Sequence, residues 1–292
     1  MSDKLLIGLG ITAGAGPGED GVREAQRAEE LGFDFVSTSD HPVGDHPTYE
    51  AVALLTWILA RTTRIVVASR VLGVPFRNPA VVAKTAASLQ GLSGGRFVLG
   101  LGGGYADEEI ARLGAGSLSP REKIDGLVDA VEIARGAWSR SRFTHAGRRY
   151  SVTDLTLEPK PDVAPPIWLG TYGPRALAAT GRLADGWIPS LGFAPPARIP
   201  AMLDRIRTAA VEAGRDPDAV RAIYNVPVRI GPGGRSEPGV LTGTAGEVLE
   251  QLGELRSLGF GGFNVMPTGP DPDRQVRAFA DEVLPALRGG PA

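Results

Sequence analysis

The sequence predicts an α/β fold: a TIM (β/α)8 barrel with a short inserted segment near 141–165, in a single domain over 1–292. Three observations carry that reading. Eight short apolar runs alternate with amphipathic stretches, no linker divides the chain, and the rhythm breaks only over 141–165. An open, doubly wound sheet shares the alternation, but eight strands over roughly 250 residues favour closure into a barrel.

The run LLIGLGI (5–11) reads as the first buried strand. A helix follows over 20–31, with Val22, Ala25, Ala28 and Leu31 at helical spacing and Gly32 as its stop. The second strand is 33–38 and the second helix 48–60, carrying Val52, Leu55, Trp57 and Leu59. RIVVAS (64–69) is the third strand, and Pro79 suits the first position of a helix over 79–89. RFVLGL (96–101) is the fourth strand. The long helix 120–139 places Ile124, Leu127, Val128, Val131 and Ala134 on one face. Loose alternation over 147–157, then Pro159, Pro161, Pro165 and Pro166, makes the insertion a hairpin-like excursion. Strands at 167–169, 186–189, 220–230 and 261–265 complete the eight. The helices between and after them are 174–181, 199–213, 244–258 and 273–287; Thr244 with Glu247 forms a capping-box pattern. Trp57, Trp168 and Trp187 are expected in the core.

Composition excludes several function classes. Lys+Arg total 31 against 33 Asp+Glu, a formal net charge of −2, so neither nucleic acid nor a membrane surface is the expected partner. Cysteine is absent, which removes disulfides, thiolate metal ligands and a cysteine nucleophile. Only three histidines exist (41, 46 and 145). His41 and His46 share a loop broken by Pro42 and Gly44, so no metal site is expected. No apolar run approaches the ~18 residues of a membrane span. The start Met1-Ser2-Asp3-Lys4 lacks the order of a signal peptide, and the expected location is the cytoplasm.

In a barrel of this kind the chemistry sits at the C-terminal ends of the strands. Ser39-Asp40-His41 ends the second strand, and a carboxylate beside an imidazole can fix its tautomer while histidine moves protons near neutral pH. Ser69-Arg70-Val71-Leu72-Gly73 ends the third strand and stays apolar and irregular up to Pro75; the residues allow either a bulge or a longer strand. Gly102-Gly103-Gly104 after the fourth strand permits close backbone approach to an anion or a flat ring. Gly170-Thr171-Tyr172-Gly173-Pro174-Arg175 after the fifth combines a hydroxyl, a helix start and a cation, each suited to phosphate. Neither the G-x-G-x-x-G spacing, nor a P-loop, nor a G-x-S-x-G elbow is met.

Four stretches taken together resemble the luciferase-like monooxygenase superfamily: AEELGFDFVSTSDH (28–41), TTRIVVASRVLGVPFRNPAVVAKTAASLQGLSGGRFVLGLGGGY (62–105), PPIWLGTYGPRALAATGRLADGWIPS (165–190) and GTAGEVLEQLGELRSLGFGGFNV (243–265). The SGGR–strand–glycine block and the ADGW block are the specific ones. The short form of the chain, with SDH after the second strand, resembles the F420-dependent reductases and dehydrogenases of that superfamily. The resemblance implies a TIM barrel, usually dimeric, binding the deazaflavin coenzyme F420 or FMN. It implies a non-prolyl cis peptide at Arg70–Val71, aligned on the downstream FRNP, with Ser69, Arg70 and Val71 backing the ring. It also implies that Asp40 and His41 flank the ring, that Gly73, Gly103 and Gly104 give close backbone contact, and that Gly170 and Thr171 lie near the tail phosphate. Arg175 is added from its charge.

The chain departs from the sugar-phosphate dehydrogenases of this group at one place: Tyr105 stands where they carry a glutamate acid. Tyr105 is thus a candidate proton donor or pocket wall. The expected activity is hydride transfer between F420 and a small organic substrate, an activated C=C, C=N or carbonyl or the reverse oxidation of an alcohol. His41, oriented by Asp40, handles the proton. The competing readings are an FMN-dependent monooxygenase served by a separate cofactor reductase, and a non-catalytic flavin-binding barrel.

Overall fold

The computed structural model describes residues 4–232 and 238–289. Its elements run in the order β1 (Leu6–Gly10), α1 (Gly21–Glu30), β2 (Phe35–Thr38), α2 (Ala51–Arg61), β3 (Val66–Ser69), β4 (Leu72–Gly73), α3 (Pro79–Leu92), β5 (Phe97–Gly102), α4 (Asp107–Arg112) and α5 (Pro120–Ser139). They continue with β6 (Phe143–Ala146), β7 (Ser151–Leu155), β8 (Ile167–Leu169), α6 (Pro174–Leu183), β9 (Gly186–Trp187), α7 (Ile199–Glu212) and β10 (Arg221–Ile230). The last are β11 (Leu241–Gly243), α8 (Ala245–Ser257), β12 (Gly262–Pro267), α9 (Pro272–Ala278) and α10 (Leu284–Leu287).

Strands β1, β2, β3, β5, β8, β9, β10 and β12 pair in parallel, and β12 returns to β1, closing an eight-stranded barrel. These are the eight strands expected from the sequence. The short β4 and β11 pair with β5 and β10 at the barrel's C-terminal end. They and α4 have no counterpart in the sequence reading, because two or three residues carry no period and DEEIAR offers only Ile110 to bury. The insertion is an antiparallel hairpin of β6 and β7.

Alternation along the strands sorts the core into two parts. Ile7, Val36, Val67, Leu99, Trp187, Tyr224, Phe263 and Val265 face outward and pack under the helices. Phe35, Ala68, Val98, Trp168, Ile188 and Ile223 fill the barrel interior. There the edge of Phe35 meets Trp168 at 5.4 Å. Trp168 and Trp187 are buried as expected, but Trp57 is 60% exposed. The sequence AVALLTWILAR makes α2 apolar on its outer face as well, so its spacing did not separate core from surface. The SGGR turn owes its glycines to backbone conformation: Gly94 and Gly95 have φ of +66° and +90°. That turn sets Arg96 to donate to the carbonyls of Leu59, Thr62 and Ile65.

Candidate active site

Toward the C-terminal mouth the barrel interior turns polar. Ser37 on β2 donates to Asn264 Oδ1 at 2.9 Å, Asn264 donates to Asn225 Oδ1 at 3.0 Å, and Asn225 donates to Ser190 Oγ at 3.2 Å. This chain spans the barrel from β2 through β12 and β10 to the loop after β9 and forms the floor of the mouth. Arg70 lies on it. Its Nε donates to Ser37 Oγ at 3.2 Å and its Nη1 meets Met266 Sδ at 3.2 Å. Burial lowers the Arg70 pKa to about 10, with nearby Tyr172 acting the other way.

The Arg70–Val71 peptide is cis, at the position and between the residues expected from the sequence. The Ser69 hydroxyl does not face the mouth; it closes a pair of bonds with the backbone of Gly100 on β5, at 2.9 and 2.8 Å. Val71 turns into the barrel, where a Cβ on Gly102 would meet it at 2.6 Å and one on Gly170 at 3.3 Å. Packing also accounts for Gly73, whose Cβ would strike the Phe76 ring at 2.6 Å; Gly104 has φ +82° and a Cβ there would meet Ile110 at 2.9 Å, while at Gly103 the nearest atom, the Lys123 carbonyl oxygen, is 3.3 Å away.

Asp40 and His41 go separate ways. The Asp40 side chain, 1% exposed, accepts from Arg77 Nη1 at 2.6 Å, Arg77 Nη2 at 2.8 Å and the Gly73 N–H at 2.9 Å. Glu50 holds the other side of Arg77. Burial works against the Arg77 charge, but Asp40 and Glu50 together push its pKa above the ordinary arginine value. Asp40 therefore does not orient His41, contrary to the expectation from their adjacency; both its oxygens are committed to Arg77 and Gly73.

The partner of His41 is Glu109, on α4, whose Oε2 lies 2.9 Å from Nδ1. A carboxylate only accepts, so Nδ1 carries the hydrogen and Nε2 is left to accept from the Tyr105 hydroxyl at 3.4 Å. The His41 side chain is 41% exposed. Burial first, then Glu109 and Tyr172, raise the Tyr105 pKa, so its hydroxyl stays protonated at neutral pH. Tyr105 also begins an aromatic wall. Its ring lies 5.9 Å from Phe193, which lies 5.5 Å from Tyr172.

Two further expected ligands are turned elsewhere. Thr171 Oγ1 is buried against Thr180 Oγ1 at 2.7 Å, and its carbonyl accepts from Trp187 Nε1. Arg175 is exposed and pairs with Asp125 at 3.2 Å. His46 pairs with Glu19, and His145 with Asp129. Among the described residues no group of three or more His, Cys, Asp or Glu is placed to hold a metal, and no helix is long and apolar enough to cross a membrane. Arg77, Tyr172 and Phe193 lie in strand-end loops that the sequence points to, but their roles, like those of Glu109 and the polar floor, are not legible in it. The signals were present in the FRNP block and in the acidic run after Tyr105, but long-range pairing leaves no local period.

The family model described as luciferase-like monooxygenase matches residues 6–234. The chain belongs to the luciferase-like monooxygenase family. Within it, the chain is 31% identical, over 92% of its length and 94% of the relative's, to an F420-dependent glucose-6-phosphate dehydrogenase of Intrasporangium calvum. It is 35% identical, over 67% of its length and 55% of the relative's, to an F420-dependent hydroxymycolic acid dehydrogenase of Mycobacterium tuberculosis. The structure of an F420-dependent secondary alcohol dehydrogenase in complex with an F420–acetone adduct superposes with a TM-score of 0.88 at 22% identity, covering 98% of this chain and 99% of that one. That likeness bears on the fold: family members share the closed parallel barrel described above.

Proposed function

We propose that this luciferase-like family member is an F420-dependent oxidoreductase that transfers a hydride between the deazaflavin and a small organic substrate. Its relatives named as F420-dependent dehydrogenases support the coenzyme. The observation that carries the chemistry is the Glu109–His41–Tyr105 chain, partly open to solvent at the mouth, one strand away from the Arg70–Val71 bulge.

The residues present fit the coenzyme. A planar, carbonyl-rich ring system needs a floor of hydrogen-bonding groups and tolerates a cation. The Ser37–Asn264–Asn225–Ser190 layer and Arg70 provide both. When bound, the deazaflavin supplies a carbon centre that takes or gives two electrons as hydride. The protein's part is the accompanying proton. His41 Nε2 holds it in one direction and releases it in the other, the neutral Tyr105 hydroxyl stands beside it, and Glu109 keeps the imidazole turned and supports its positive charge.

The substrate is taken to be a carbonyl, imine or activated alkene with an apolar body, or the corresponding alcohol. Tyr105, in the place where the resemblance leads one to expect a glutamate acid, and the exposed rings of Tyr105 and Phe193 favour such a molecule over glucose 6-phosphate. We further propose that the enzyme is cytoplasmic and a homodimer. Trp57 on α2 and Val81 on α3 are exposed, and Val52, Val81 and Val82 line an apolar groove of about 180 Å3 between these helices. Size-exclusion chromatography of Trp57→Glu checks the dimer, which should shift to monomer.

Parallel fluorescence titrations with F420 and with FMN test the coenzyme. Tight F420 binding and weak FMN binding are expected. A preference for FMN overturns the assignment in favour of oxygen-dependent chemistry.

A further inference from the structure

Arg70 differs from the other cations around the mouth. Arg77 is neutralised by Asp40 and Glu50, Lys123 by Asp107, and Arg175 by Asp125. Arg70 makes no ion pair among the described residues; a neutral hydroxyl and a thioether are its side-chain contacts. It lies where the barrel interior becomes polar, and the neighbouring amides of Asn264 and Asn225 are already bonded to one another. Arg70 is partly buried, and a cation partly withdrawn from water without a counter-charge costs stability. Burial accordingly depresses its pKa to about 10. A position that tolerates this cost, in the mouth of the barrel and next to the Val71 bulge, is set up for an anion that arrives with a ligand.

We propose that the Arg70 guanidinium is the counter-charge for the ionised chromophore of the deazaflavin, an inference that rests on the coenzyme assignment above. The chromophore is a phenol fused into a conjugated ring system. On losing its proton it spreads negative charge through the ring to the N–C=O edge of the pyrimidine. A planar guanidinium offers parallel N–H donors to such an edge. The protein therefore binds the ionised chromophore more tightly than the neutral one, and the bound chromophore ionises at lower pH than the free one. The other titratable or charged groups around the mouth are Tyr172, which interacts with Arg70, the Asp40–Arg77–Glu50 cluster, the Glu109–His41–Tyr105 chain, and the Lys123–Asp107, Arg175–Asp125 and His46–Glu19 pairs. Each of these clusters and pairs is satisfied internally and is common to all the variants, so the difference between variants at position 70 isolates the guanidinium.

The test is a spectrophotometric pH titration of F420 free in solution, bound to the wild-type protein, and bound to Arg70→Gln, Arg70→Met and Arg70→Lys. It reads the coenzyme's own ionisation and needs no turnover. Bound to the wild type, the midpoint should lie at least about one unit below that of free F420, a tenfold preference for the anion. Arg70→Gln and Arg70→Met should lose the displacement, and Arg70→Lys should keep most of it. Two neutral variants are included so that the test survives the loss of one that does not fold. Equal midpoints for the wild type and the folded neutral variants overturn the inference while leaving the coenzyme assignment intact. The inference is equally overturned if the midpoints coincide while the neutral variants weaken binding of benzoate to the F420 complex, which gives the counter-charge to a substrate carboxylate. Failure of the wild type to bind F420 overturns the coenzyme assignment itself.

Discussion

Asp40 and His41 are neighbours in sequence and opposites in environment. Asp40 is sealed beneath the mouth, with three donors on its carboxylate and 1% of its side chain exposed. His41 is 41% exposed, held from one side by Glu109 and touched on the other by Tyr105. Successive residues leaving a strand point to opposite sides. One therefore joins β2 to the β4 turn and the following Arg77, and the other reaches across to α4. The contrast separates two jobs that a DH pair suggests in combination. The buried carboxylate fixes the framework that presents the bulge, and the imidazole is left for proton transfer. A carboxylate next to a histidine in sequence is thus weaker evidence for a dyad than one reaching it from another element.

The sharpest way to break this division is His41→Ala. If His41 carries the proton, kcat should fall roughly 10^2- to 10^4-fold, with thermal stability and F420 affinity close to wild type. A loss of less than tenfold in single-turnover absorbance measurements returns the role to Tyr105 or solvent. Asp40→Asn should do the reverse. It leaves the Arg77 guanidinium with Glu50 alone, at a cost of about 3 kcal/mol. Calorimetry should then show a Tm lower by roughly 5 °C, while the proton-transfer step in the folded enzyme changes little. A large kcat defect with an unchanged Tm sinks the framework role. Glu109→Gln is intermediate. It removes a charge-assisted bond worth about 1.5–3 kcal/mol, so kcat should fall about 10- to 100-fold with KM nearly unchanged. A KM-only effect makes Glu109 a substrate contact instead of a positioning residue.

How much of this was legible beforehand follows from the range of the interactions. The eight strands, most helices and the hairpin could be read because hydrophobic period, caps and glycine stops are local signals. The cis bond at Arg70–Val71 was reached through the family resemblance, anchored on FRNP. Its neighbours illustrate the limit. Nothing in the local pattern tells that Ser69 closes on Gly100, 31 positions on, or that Asp40 is held by Arg77, 37 positions on. Glycines 73, 103, 104 and 170 looked like surfaces kept bare for a ligand. At Gly73 and Gly104 a Cβ would meet Phe76 and Ile110 at 2.6 and 2.9 Å, so the protein's own packing already calls for glycine there, whereas at Gly103 and Gly170 the nearest atoms stand off at 3.3 Å. Thr171 and Arg175, chosen for phosphate chemistry, found partners in Thr180 and Asp125. Residue type proposes a chemistry; burial and prior commitment decide whether the group is free to perform it.

The hairpin extends the same comparison to a third carboxylate and gives the mildest prediction. Asp129 on α5 accepts from the amides of Arg149 and Tyr150 at 2.8 and 3.0 Å and meets His145 Nε2 at 3.1 Å. Gly147 lets the turn come this close, since a Cβ there would lie 2.4 Å from the carboxylate. Burial on its own raises the Asp129 pKa, but the Tyr150 and Arg149 amides together with His145 hold it below the ordinary aspartate value. A carboxylate whose folded pKa is depressed stabilises the folded form above its unfolded pKa, and loses that contribution as pH falls through the folded value. The tethering of β6 and β7 should therefore be constant near neutrality and weaken below about pH 4. Hydrogen exchange of the 143–155 amides, corrected for intrinsic rates, should show protection dropping there ahead of the barrel strands. Asp129→Asn should loosen the hairpin at neutral pH by roughly 1–3 kcal/mol and abolish the pH dependence. Persistence of that dependence in the variant assigns it to another group and leaves Asp129, unlike Asp40, a packing anchor whose charge is incidental.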